Sequence, residues 1–92
     1  SQISSAISVV VQIARLTDGR RIISSIYEIT GMEGDIITMQ EIFGFKQSGT
    51  SADGKVLGHF AATGVRPQFT ERLRGHGVIL PDKMFDPSRR FE

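Results

Sequence analysis

No cysteine occurs in the 92 residues, which excludes disulfides and thiolate metal centres. No apolar run approaches the roughly 20 residues that a membrane helix needs. The apolar stretch at 6–14 has no basic flank before it, so no secretory signal is expected there. Charge of one sign is also scarce. Formal net charge is +1, too small to pull the chain strongly toward nucleic acid or an anionic membrane. These absences lead to the expectation of a soluble, cytoplasmic chain. At this length one small domain is possible and two are not.

Charge is present, but unevenly placed. Residues 1–45 hold three arginines against five acids, and residues 46–92 hold eight basic residues against five acids. Arginine outnumbers lysine eight to three. Arginine is favoured where planar, bidentate contacts to carboxylate or phosphate matter.

Hydrophobic patterning predicts an α+β fold, mainly an antiparallel meander of about four strands with one short C-terminal helix. "ISVVVQIARL" at 7–16 is rich in β-branched residues and apolar on both faces, so this strand is expected to be covered on both sides. Asp18-Gly19 marks a type I′ hairpin turn. "RIISSIYEI" at 21–29 is the returning strand, with Ile23, Ser25, Tyr27 and Ile29 on one face and Ile22, Ser24, Ile26 and Glu28 on the other. "DIITMQEIFGF" at 35–45 is the third strand, with Ile37, Met39, Phe43 and Phe45 sharing a face that Glu41 interrupts. "KQSGTSADG" at 46–54 is expected to be a flexible loop, and "KVLGHFAAT" at 55–63 a fourth strand that returns along the third. Pro67 suits a first helical turn, Phe69 and Leu73 share a face, and Gly75 or Gly77 ends that helix. "LPDKMF" at 80–85 starts one more turn, and "DPSRRFE" is a tail.

"EITGMEGD" at 28–35 poses the sharpest chemical question. A phosphate-binding loop needs G-x-x-x-x-G-K-[ST], but here Asp35 follows the second glycine and no lysine is near. Glu28, Glu33 and Asp35 do not follow the spacing of a calcium-binding EF-hand loop. The plainer interpretation is a connection between strands in which Gly31 and Gly34 supply φ > 0. His59 and His76 have no second ligand at zinc spacing. "FGFK" at 43–46 is a weak match to the aromatic strand of an RNA-recognition module. Glu41 and Ile42 stand where that module needs a basic residue and a glycine, so Phe43 and Phe45 are expected in the core. A small β module that stacks single-stranded nucleic acid is the alternative class. Arg15, Arg20 and Arg21 flank the first hairpin turn with Asp18 among them. They form either a solvated tip with local ion pairs or a contact for an anion or a subunit.

The order of segments carries a further indication. "VVQIARLTDGRR", "EITGMEGD" and "ATGVRP", with "FTERLRGHGVILPDKMFDP" after them, resemble the C-terminal end of CpaF-type secretion ATPases. These are the bacterial motors of tight-adherence pilus assembly within the type II/type IV secretion ATPase superfamily. The resemblance covers about Ile3 to Pro87. It implies a longer parent, a cytoplasmic hexameric ring peripheral to the inner membrane, with a RecA-like motor that binds ATP and Mg²⁺. The P-loop and the acidic and histidine boxes of that motor lie upstream in the family, and none is in this chain. No catalytic, cofactor-binding or metal residue is therefore carried over, and ATP and Mg²⁺ are expected only in the parent. By the same resemblance, residues 1–30 are the last strands of the RecA-like sheet and residues 31–92 an appendix, with "EITGMEGD" as the connector. The expected partners are other subunits of the ring and membrane platform proteins, with no nucleic acid. The isolated piece is expected to associate with itself. Arg15, Arg20 and Arg21 are the charge-contact candidates.

Overall fold

In the computed structural model of the chain, residues 8–89 are described. Ile7 of the first expected strand and Arg90, Phe91 and Glu92 of the expected tail lie outside them. Four strands, β1 (Val9–Arg15), β2 (Arg21–Glu33), β3 (Ile36–Thr50) and β4 (Val56–Ala62), form one antiparallel sheet in the order β1-β2-β3-β4. A short helix, α1 (Phe69–Gly75), and a 3₁₀ turn (Asp82–Phe85) follow. The α+β meander expected from the patterning is present. The molecule measures 50 × 33 × 16 Å. The short dimension accommodates one sheet and one covering layer, since layers pack about 10 Å apart.

The strands are longer than expected. β3 runs on through "KQSGT" to Thr50, so the predicted flexible loop at 46–54 shrinks to the turn at 51–54. Ladder bonding to β4 holds this polar stretch, with Lys46 opposite His59 and Thr50 opposite Val56. β2 runs through "EITGME" to Glu33, leaving Gly34 and Asp35 as the turn. Gly34 takes φ 63 and Asp35 does not share it, as in two-residue hairpin loops with glycine at the first central position.

Register shifts occur at four places, and they move side chains between faces. Each is one extra residue in one strand, a β-bulge: Ser24 and Thr30 in β2, Ile42 and Ser48 in β3. Because strand periodicity is two, one extra residue flips all that follows. Ile23 pairs with Ile13, on the face opposite Ser25 and Tyr27. Glu41 pairs with Tyr27 and lies with Ile37 and Met39, while Phe43 pairs with Ile26 on the other face. The expected faces of β2 and β3 are corrected accordingly. Glu41 does not interrupt the phenylalanine face. Its carboxylate instead accepts a 2.6 Å hydrogen bond from Ser25 Oγ and lies over Gly44.

The core lies on the Phe43 face, under the C-terminal segment. Phe43 stacks on Phe60 and meets Phe85, both with ring centroids 5.9 Å apart. Such pairs contribute about 0.5–1.5 kcal/mol beyond their area. Arg66 lies over the Phe85 ring and pairs with Asp82. Ile42, Ala62, Phe85 and Pro67 are buried, and Ala61, paired with Gly44, is buried on the opposite face. Phe45 and the Lys46 carbonyl crowd Gly58 so closely that a Cβ there would lie 2.5 Å from each. Pro67 sits just before α1 rather than inside it. Gly77, at φ 84, ends α1, with Val78 N–H bonded to Leu73 O and Gly77 N–H to Arg74 O. This is a Schellman termination.

β1 departs from expectation. Its valines were expected to be covered on both sides, but Val9, Val10, Val11 and Ile13 are exposed. The covering segment is short, and it reaches β2 through Glu28 and β3 through Phe43. The β2–β3 tip is bare as well, with Met32, Ile36, Ile37 and Met39 exposed.

Candidate charge-contact site at the β1–β2 turn

The turn that carries the three arginines is closed by two backbone bonds. Gly19 N–H donates to Leu16 O at 2.9 Å and Leu16 N–H to Arg20 O at 2.8 Å. Gly19 takes φ 93 and Asp18 does not have positive φ. The loop is therefore three residues, Thr17 and Asp18 followed by a left-handed Gly19, and not the expected two-residue type I′ turn. The β3–β4 turn repeats it. Gly54 N–H donates to Ser51 O, Ser51 N–H to Lys55 O, and Gly54 takes φ 86. Two Asp-Gly-Arg/Lys loops thus sit at the same end of the sheet, and Asp18, Arg20, Asp53, Gly54 and Lys55 line one shallow depression between them.

Asp18 and Arg20 are spent on holding these loops together. Asp18 Oδ2 accepts from Val56 N–H at 2.8 Å, and Arg20 Nη2 donates to Val56 O at 2.6 Å. Asp18 also accepts from the Arg20 backbone N–H and from Nε, both at 3.0 Å. Together the two side chains take both backbone groups of Val56, as a neighbouring strand residue would. The Asp18 side chain is 11% exposed. The Val56 N–H, then the Arg20 N–H, hold its carboxyl below its usual value, against the opposing effect of burial. The Ser51 hydroxyl does the same for Asp53 in the second loop.

Arg15 and Arg21 are disposed differently. They are direct cross-strand partners, side by side at the end of β1. Both are exposed. Like charges directly opposite are destabilising, and no ion pair among the described residues relieves them. Of the three candidates, then, Arg20 is committed within the chain, and Arg15 and Arg21 form a bare cationic pair.

The acids of "EITGMEGD" also separate. Glu28 is buried, and its two oxygens accept the backbone N–H groups of Gln68 and Phe69, each at 2.8 Å. It caps α1 from 40 residues away, in place of a local side-chain cap, which α1 lacks. Helix N-termini leave such donors without partners. Glu33 and Asp35 are exposed at the far tip. His59 lies in β4 and His76 is the C-cap of α1. Among the described residues no group of three or more His, Asp or Glu side chains converges as a metal site. No helix among them is long and apolar enough to cross a membrane.

The cap by Glu28 and the Val56 contacts of Asp18 and Arg20 were missed from the sequence. Each joins residues about 40 positions apart, beyond the reach of any local pattern. Compared with known proteins, the chain matches no family model and no curated protein.

Proposed function

We propose that this chain is a non-catalytic C-terminal segment of a CpaF-type secretion ATPase, one that powers pilus assembly or protein export. Its work is packing and subunit or partner contact. ATP and Mg²⁺ belong to the motor part of such a parent. The observation that carries this proposal is β1. Sheet edges normally carry lysine, proline or inward charge against unwanted pairing. Val9–Ala14 has none of these and, Gln12 apart, is apolar on both faces, the one charge of β1 being Arg15 at its end. Strands with two apolar faces belong inside larger, doubly covered sheets, so β1 fits a place beside further strands of a motor sheet. The ordered motifs of the sequence agree with that placement.

The position of the aromatic residues weighs against the rival, a module that stacks single-stranded bases. Stacking platforms present exposed rings, whereas Phe43 is in contact with Phe60 and Phe85. The deciding experiment is to read the gene on the 5′ side of the Ser1 codon. An in-frame P-loop and histidine box are expected. A start codon immediately before Ser1 sinks the proposal. Purified alone, the 92-residue chain is expected not to hydrolyse ATP, and turnover at an enzyme-like rate refutes its non-catalytic part.

A further inference from the structure

The two ends of the sheet carry opposite, unrelieved charge beside exposed aliphatic side chains. At one end, Arg15 and Arg21 are paired across β1 and β2, with the Ile13–Ile23 pair two residues inward on the same face. Ile13 is 66% exposed and Ile23 45%. At the other end, Glu33 pairs with Ile36 across the β2–β3 tip, and Asp35 is in the turn. Ile36 is 70% exposed, and Met32 and Ile37 are exposed beside it. Neither acid has an ion-pair partner among the described residues.

Within one molecule the two patches cannot meet. They are separated by the 13 residues of β2, about 40 Å at the rise of a strand. A second copy can bring them together. We propose that the acidic, aliphatic β2–β3 tip of one copy docks on the Arg15–Arg21 and Ile13–Ile23 patch of the next. Two carboxylates then meet two guanidinium groups, which suit carboxylates in bidentate geometry. The aliphatic residues at both patches leave water together. The contact joins different surfaces of the two copies, so it repeats head to tail and yields a ring or an open chain, not a closed pair. It stands on this chain alone and does not depend on the motor proposal.

The test is sedimentation velocity on the 92-residue chain at ionic strengths of about 0.01 M and about 1 M, where the screening length falls from about 30 Å to about 3 Å. At low salt the wild type is expected to form species larger than dimers, and at high salt to dissociate. Two charge-reversed variants sharpen the result: Arg15→Glu with Arg21→Glu, and Glu33→Arg with Asp35→Arg. All four positions are exposed, and circular dichroism checks that both variants fold. If either variant fails to fold, single reversals at Arg15 and Glu33 replace the pairs. Each variant alone is expected to associate about tenfold more weakly or worse, since close charge pairs at interfaces couple strongly. An equal mixture is expected to associate again, because each brings the charge the other lacks. A monomeric wild type at low salt overturns the proposal. So does a mixture that fails to recover. A strict dimer indifferent to both variants overturns it too, and points to pairing of two β1 edges instead.

Discussion

The two edge strands of the sheet are each seven residues long and similarly apolar, yet they are treated in opposite ways. In β4, Val56, Ala61 and Ala62 are buried, and Phe60 lies in the aromatic cluster. The outer backbone groups of Val56 are taken by Asp18 and Arg20. In β1 no residue is buried. The difference does not come from the strands' own composition. It comes from residues distant in sequence: Phe85 and Arg66 over one side of the sheet, and the first hairpin turn against the start of β4. Burial is a property of what arrives to cover a strand, and in this chain the covering reaches only one edge.

The comparison breaks most readily at the aromatic cluster. Phe85→Ala is expected to cost about 3–5 kcal/mol, a large share of the roughly 5–15 kcal/mol that holds a domain folded. Ile13→Ala on β1 is expected to change stability by less than about 0.5 kcal/mol, as at other exposed positions. Urea denaturation of both variants reads the contrast, and equal losses would abolish it.

A backbone test at the covered edge comes next. Gly58→Ala places a Cβ against the Lys46 carbonyl and the Phe45 ring, and the shift this forces is expected to cost about 1–3 kcal/mol. Gly44→Ala, which meets only the movable end of Glu41, is expected to cost less. Denaturation midpoints of the two alanine variants rank them.

The covering segment itself is anchored by Glu28. Glu28→Ala leaves the Gln68 and Phe69 N–H groups without their acceptors, at an expected cost of about 1–2 kcal/mol. Faster amide exchange across Phe69–Gly75 than across β3 is the local sign of that loss.

The smallest effect is on pH. The folded structure holds the Asp18 carboxyl below its usual 3.8. Its contribution to stability is therefore complete above that unfolded value and is lost as pH falls through the lower folded value. The Val56 amide resonance is expected to move over that acid range in the wild type and to stay still in Asp18→Asn. A Val56 resonance that moved equally in both would remove Asp18 from the contact.

The meander was legible because Asp18-Gly19 and the glycines of "EITGMEGD" interrupt strand-forming runs, and because the helical spacing of Phe69 and Leu73 replaces strand alternation. Of that second stretch only Gly34 and Asp35 form the turn. Gly77 as the helix end was one of two choices the residues offered. The faces of β2 and β3 were not legible. A bulge at Ser24 or Ile42 adds a residue without changing residue type, and every later side chain then swaps sides. The extent of β3 was hidden because "KQSGT" is polar and is held by pairing with β4, not by its own propensity. At the candidate site the three arginines could be named but not sorted. What separates Arg20 from Arg15 and Arg21 is Val56, which no spacing rule connects to them.

The most direct test of the contrast between the edges is native-state amide exchange on the 92-residue chain, at a concentration and salt where it is monomeric. The amides of β3 and β4 from Phe43 to Ala62 are expected to exchange slowest, through global opening, with Val56 among them. Those of β1 from Val9 to Arg15 are expected to exchange faster, through local opening of an uncovered strand. Protection of β1 equal to that of β4 in the monomer would contradict the account, because it would mean that β1 is already covered and has no place left for a partner.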